Sequence, residues 1–320
     1  MFSSWRASLL ILVMLPLAGC VASDFEAPIT RFSGATDSAA TSLSAYEKVL
    51  DAAALDANLK YALAHPNTVR SEVGKGECTS GGARCRLVIR DKDGKQRPLD
   101  PGPLDPTIRV LMAGLVDYGH NLNAIATAKT ADDLNTAMTG AKGAVIEFAK
   151  AADSAAPGLK LSGTVTNWAT PLANAATFGL QAYAEGAKLR ALRSATAKMD
   201  PLLASVATVT GAVATQGNQV KRIQAAVAFS QASDDFDSGA NSAKLKSLMD
   251  SAHALDALLT VDPADTFATM VTAHAALAKA LAQPRPDFAQ LWSAIQRLSA
   301  NAEKLAEVVK QFQQAAAATP

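Results

Sequence analysis

Between Phe288 and Phe312 the apolar residues return at alternating steps of three and four: Phe288, Leu291, Ile295, Leu298, Ala302, Leu305, Val309 and Phe312. On an α-helix this spacing forms one narrow stripe, whereas a strand would scatter the same residues over both faces. The same rhythm runs through Leu202, Val206, Val209, Val213, Gln216, Val220, Ile223 and Val227, with one polar member. The stretch DDFDSGAN, residues 234–241, gathers helix-unfavourable residues and shifts the phase. Leu245, Leu248, Ala252, Leu255 and Leu259 then resume the pattern. Such seams suit coiled-coil-like packing, and residues 201–233 as one helix would extend about 50 Å.

Composition points the same way. Apolar residues make up 49% of the chain, yet aromatics only 5%, and alanine dominates the apolar fraction. Alanine is the best helix former but buries little area, so the chain suits closely packed, extended helices better than a thick core. Helix signals divide the sequence. A first helix is expected from Thr36 or Asp37 to Ala64, stopped by His65-Pro66 because the residue before a proline avoids the α region. Asp105-Pro106, Asp200-Pro201 and Asp262-Pro263 each read as a cap followed by proline at the first helical position. The first of these helices should run to about Thr127. Thr130 with Asp133 resembles a capping box for a helix ending near Ala156. A helix from about Thr166 to Lys198 precedes the Asp200-Pro201 signal, and Pro284-Arg285-Pro286 marks the last junction. Short connections between long helices imply antiparallel neighbours. The expected fold class is all-α: an elongated antiparallel bundle of long Ala-rich helices with coiled-coil-like seams, occupying residues 36–320 as a single domain.

Residues 66–105 interrupt this regime. RLVIRDKDGKQRPL places β-branched residues before an Asp93-Gly94 turn, which predicts a small β-hairpin insert. Cys78 and Cys85 lie just ahead of it in a glycine-rich loop. In an exported protein such a pair reads as a disulfide that would staple an insert lacking its own core. A metal site or a redox pair is the alternative, but there is no second pair, no nearby histidine and no CxxC spacing. Arg84, Arg86, Arg90, Lys92, Lys95 and Arg97 cluster here against Asp91 and Asp93. They form a possible contact patch for an acidic partner, a lipid phosphate or a cell-wall polymer. The plainer alternative is charge kept on a hairpin for solubility and edge protection.

The chain opens MFSSWRASLLILVMLPLAGC, with Arg6 the one charged residue before Cys20. The apolar run Ala7–Leu17 would rise about 16 Å as a helix, against roughly 30 Å for a bilayer core, which fits the h-region of a secretory signal. Leu17-Ala18-Gly19-Cys20 closely resembles the lipobox of bacterial lipoproteins. That resemblance covers about twenty residues of the 320. It implies cleavage before Cys20, acylation of its sulfur and amine, and attachment to a membrane through that lipid. Because Val21 rather than aspartate follows, it also implies the outer membrane, facing the periplasm. An ordinary signal peptide or an anchor helix with an incidental cysteine is the alternative. Residues 1–19 would then be the signal peptide. Residues 20–35, carrying Pro28 and Gly34, read as a lipidated N-terminus and tether.

Signs of chemistry are sparse. Loss of Arg6 from 30 basic side chains leaves 29 against 29 acidic ones, so no global field favours nucleic acid. GxSxG, SxxK, Walker A and GxGxxG motifs are absent. His65, His120, His253 and His274 show no HExxH spacing, although Asp117/His120 and Asp250/His253 sit three apart on helices. RDKDG and DDFDSGAN, with Asp234, Asp235 and Asp237, lack the remaining ligands of a calcium loop. No metal, cofactor or enzymatic activity is expected. The expectation is a non-enzymatic envelope lipoprotein that scaffolds or binds another envelope protein through its helices. The rival is a ligand-binding or transport-accessory lipoprotein with a pocket lined by Trp168, Phe178, Tyr183 or Trp292. A membrane-active helical protein is a remoter alternative, since the hairpin is charged rather than apolar.

Overall fold

A computed structural model describes residues 22–71, 87–90, 93–100, 106–156, 158, 160–165 and 181–317. The described chain is mostly helical, with one small antiparallel sheet. A 3₁₀ turn, Ala22–Phe25, leads directly into α1, Glu26–Ala64. The later helices are α2, Pro106–Thr127; α3, Ala131–Ala155; α4, Gln181–Asp237; α5, Ser242–Thr260; α6, Pro263–Ala282; and α7, Phe288–Ala317. α1 packs on α2 and α7, α2 on α3, α4 on α5 and α6, and α6 on α7. One contiguous core runs through all of these helices.

Several boundaries follow the local chemistry read from the sequence. α1 stops at Ala64, where the N–H of His65 donates to the Tyr61 carbonyl at 2.9 Å and a Pro66–Thr68 turn follows. α2 begins at Pro106 and α6 at Pro263, whose cap Asp262 accepts the N–H of Ala264 at 2.9 Å. α3 carries a full capping box. Thr130 accepts from the Asp133 N–H and Asp133 accepts from the Thr130 N–H, both at 3.0 Å. Asn241 caps α5 after the DDFDSGAN break. Along α7 the spaced residues Leu291, Ile295, Leu298, Ala302, Leu305 and Val309 are all buried.

The tether is overturned. Residues 22–35 are packed protein, and α1 begins at Glu26 rather than at Thr36. Ala22, Phe25, Ile29, Phe32, Thr36, Ala39, Leu43 and Tyr46 step by three and four and are all buried, so the seam runs unbroken from the first described residue. Pro28 is no obstacle, because it sits in the first turn, where a backbone N–H has no helical partner to lose. The expected break at Asp200-Pro201 is overturned too. α4 continues through Pro201, with Leu202, Leu203 and Val206 buried in line with Leu192, Ala195 and Met199. Asp200 does not cap a new helix because its carboxylate is engaged across the core by His274. The seam of α4 also fails at its far end, where Ile223 and Val227 are exposed.

Among its described residues the insert holds three strands rather than two: β1, Val69–Ser71; β2, Leu87–Arg90; and β3, Gln96–Pro98, in that order across the sheet. In the hairpin Ile89 faces Arg97 and Arg90 faces Gln96, and the turn uses Gly94 at φ +78°. Asn58 of α1 fastens the sheet by donating to the Leu99 carbonyl at 3.0 Å and accepting from the Arg97 guanidinium. Cys20, Cys78 and Cys85 lie outside the described residues.

Candidate functional site

The core stripes of α2 and α6 each contain one polar ring. On α2, Tyr118 follows Leu111 and Leu115 and precedes Leu122 and Ile125; on α6, His274 falls between Met270 and Leu277. Both rings are fully buried. They meet where these helices converge. Tyr118 Oη lies 3.0 Å from His274 Nε2, and His274 Nδ1 lies 3.2 Å from Asp200 Oδ1 of α4. Phe32 of α1 covers the imidazole, with ring centroids 6.0 Å apart. Four helices thus enclose a Tyr–His–Asp chain that ends in a part-exposed carboxylate.

The proton positions follow from the acceptors. A hydrogen bond from His274 holds the Asp200 carboxyl below its ordinary range, against the opposing effect of burial. An ionised Asp200 accepts only, so Nδ1 carries a hydrogen; in the neutral imidazole Nε2 then accepts from the Tyr118 hydroxyl. Burial, reinforced by the negative charge of Asp200, pushes the Tyr118 phenol well above its usual value. The phenol therefore stays neutral and donates. Every polar atom of the two rings is satisfied, and neither ring reaches solvent. The arrangement acts as a polar clip joining α2, α4 and α6 rather than as an exposed nucleophile and base.

Asp200 also borders an open groove of about 530 Å³, shared by α4 and α6 and flanked by Arg193 and Lys279. Both cations are committed, Arg193 to the Leu281 carbonyl and Lys279 to Gln290 Oε1 at 3.2 Å. The aromatic residues expected to line a pocket are placed elsewhere or lie outside the described residues. Trp292 is half-buried beneath Arg31 at 5.4 Å, Tyr183 is exposed beneath Arg190 at 5.9 Å, and Trp168 and Phe178 are not described.

The helix-spaced histidine pairs are not realised. His120 Nε2 reaches Asp37 Oδ2 of α1 at 2.7 Å instead of Asp117, and Asp250 pairs with Lys246 at 2.8 Å instead of His253. No group of three or more potential ligands for a metal occurs among the described residues. In the basic patch Arg90 and Lys95 are exposed, while Arg97 is held by Asn58 and lies over the Tyr61 ring at 5.1 Å. Arg84, Arg86 and Lys92 lie outside the described residues.

A different surface is apolar where solvent would favour polar residues. The half-buried and exposed faces of the α4–α5 hairpin present Ile223, Val227, Leu245, Met249 and Leu259, each between 45% and 58% exposed. On α5, Leu245, Met249 and Leu259 fall within about 80° of helical arc. No described helix is long and apolar enough to cross a membrane. The chain matches no protein-family model, no curated protein and no solved structure.

Proposed function

We propose that this chain is a lipid-anchored envelope lipoprotein, attached through Cys20 to the periplasmic face of the outer membrane, that acts as a non-enzymatic scaffold through its long helices. In this reading the helices form an elongated antiparallel bundle with coiled-coil-like seams, and a Cys78–Cys85 disulfide staples the sheet insert. The observation that carries the interaction role is the set of apolar side chains left exposed on α4 and α5, Ile223 and Val227 on one and Leu245, Met249 and Leu259 on the other, with Asp256 among the latter three. Apolar residues exposed on one arc of a helix fit the apolar face of an amphipathic partner helix, and Asp256 among them offers a charge for a basic residue of that partner. The buried Tyr118–His274–Asp200 clip supports the non-enzymatic reading, because it stabilises the helices without offering a reactive atom to solvent. A pocket for a small ligand finds less support, since the groove beside Asp200 is open and its cations are already engaged.

A photo-crosslinking residue at Met249, introduced in the full-length chain in cells, tests the reading. The expected result is a discrete protein adduct that Leu245→Glu abolishes while the helical signal is retained. A chain that forms no adduct and is monomeric by light scattering would overturn it.

A further inference from the structure

We infer that the helical body rests directly on a phospholipid headgroup surface, because almost no chain separates the lipid-bearing residue from packed protein. The inference depends on acylation of Cys20. Only Val21 stands between Cys20 and Ala22, so the cysteine Cα lies within about 8 Å of the Ala22 Cα. Ala22 and Phe25 are fully buried. The Ser23 N–H donates to Glu185 Oε2 of α4 at 2.8 Å, and the Phe25 ring packs on Phe288 of α7 at 5.2 Å. These contacts fix the N-terminal turn to two helices, α4 and α7. An acyl group on Cys20 would hold that end of the body at the membrane, with no slack to lift it.

The side chains around this entry suit an interface. Trp292 lies one turn along α7 from Phe288, the ring that packs on Phe25, and pairs with Arg31. Aromatic rings with a polar partner prefer the headgroup level. Arg31 and Arg285 are offset by Asp24, Glu26 and Asp287, so contact with lipid would come from the short leash and the Trp292 ring rather than from net charge. Added salt should leave it in place.

The test uses the acylated full chain in vesicles of phosphatidylethanolamine and phosphatidylglycerol. A fluorescent amino acid replaces the exposed Ala27, and an energy acceptor is carried on the lipid headgroups. A second protein carries fifteen Gly/Ser residues between Val21 and Ala22, a flexible spacer reaching about 20 Å. Energy transfer should be several-fold stronger without the spacer and unchanged by added salt. Equally weak transfer from both proteins, with acylation confirmed by mass spectrometry, would show a body held away from the surface and overturn the inference alone. A wild-type chain with no acyl mass, released from membranes as fully as Cys20→Ser, would overturn the anchor and the inference together.

Discussion

Tyr118 and His274 stand 156 residues apart in the chain and 3.0 Å apart in the core. Their bond leaves two buried polar atoms satisfied, and either partner alone would leave one stranded. Tyr118→Phe removes the donor and strands His274 Nε2, so unfolding in urea should show a loss of about 1–3 kcal/mol. The loss should not add to that of His274→Leu. A coupling of about 0.5–3 kcal/mol in the double-mutant cycle is expected, and strict additivity would mean the two rings do not share a bond.

Asp200 gives the clip a pH dependence with a definite sign. Its folded-state carboxyl titrates below the ordinary range because His274 donates to the ionised form. The stabilisation from that charge is fully present above the unfolded value, about pH 4, and is lost as pH falls through the lower folded value. The stability difference between the wild type and Asp200→Asn should therefore shrink as the pH falls below about 4. A difference that grew on acidification would contradict the ionised assignment.

Phe25 distinguishes packed protein from tether. It is fully buried against Phe288, so Phe25→Ala should cost about 3–5 kcal/mol in thermal or urea unfolding. A flexible leader would tolerate the change without effect. Removal of residues 21–35 should likewise destabilise the body severely, because Ile29 and Phe32 leave the core with it.

Pro201 lies inside α4, where it supplies no N–H to the carbonyl of Ala197. Interior proline costs a helix up to about 3 kcal/mol relative to alanine, partly offset by a stiffer unfolded chain. Pro201→Ala should raise the melting temperature while leaving the Tyr118–His274 coupling intact. A fall would indicate that the site needs the local bend a proline imposes.

Much of the fold was legible because it is local. A step of three or four residues sets which side chains share a helix face, and caps such as Thr130 with Asp133 act within one turn. The misleading signals are local as well. Pro28 and Gly34 drew the N-terminal segment into a tether, although Ala22, Phe25, Ile29 and Phe32 carry the same spacing as α7. Asp200-Pro201 has the form of Asp262-Pro263, yet only Asp262 is free to fold back and cap.

Local patterns set the helical regime, most helix ends and the hairpin turn at Gly94, and they compose the N-terminal motif ending at Cys20. Each depends on residues within a few positions of one another. Only the tertiary structure decided that Tyr118, His274 and Asp200 form one hydrogen-bonded chain, since three helices must converge before their side chains meet. It also decided which apolar stripes are covered. Spacing makes Leu298 and Ile223 look alike, but Leu298 has neighbours that remove it from water, whereas Ile223 keeps 58% of its surface exposed. Burial belongs to the neighbours a helix acquires, and a stripe carries no local record of them.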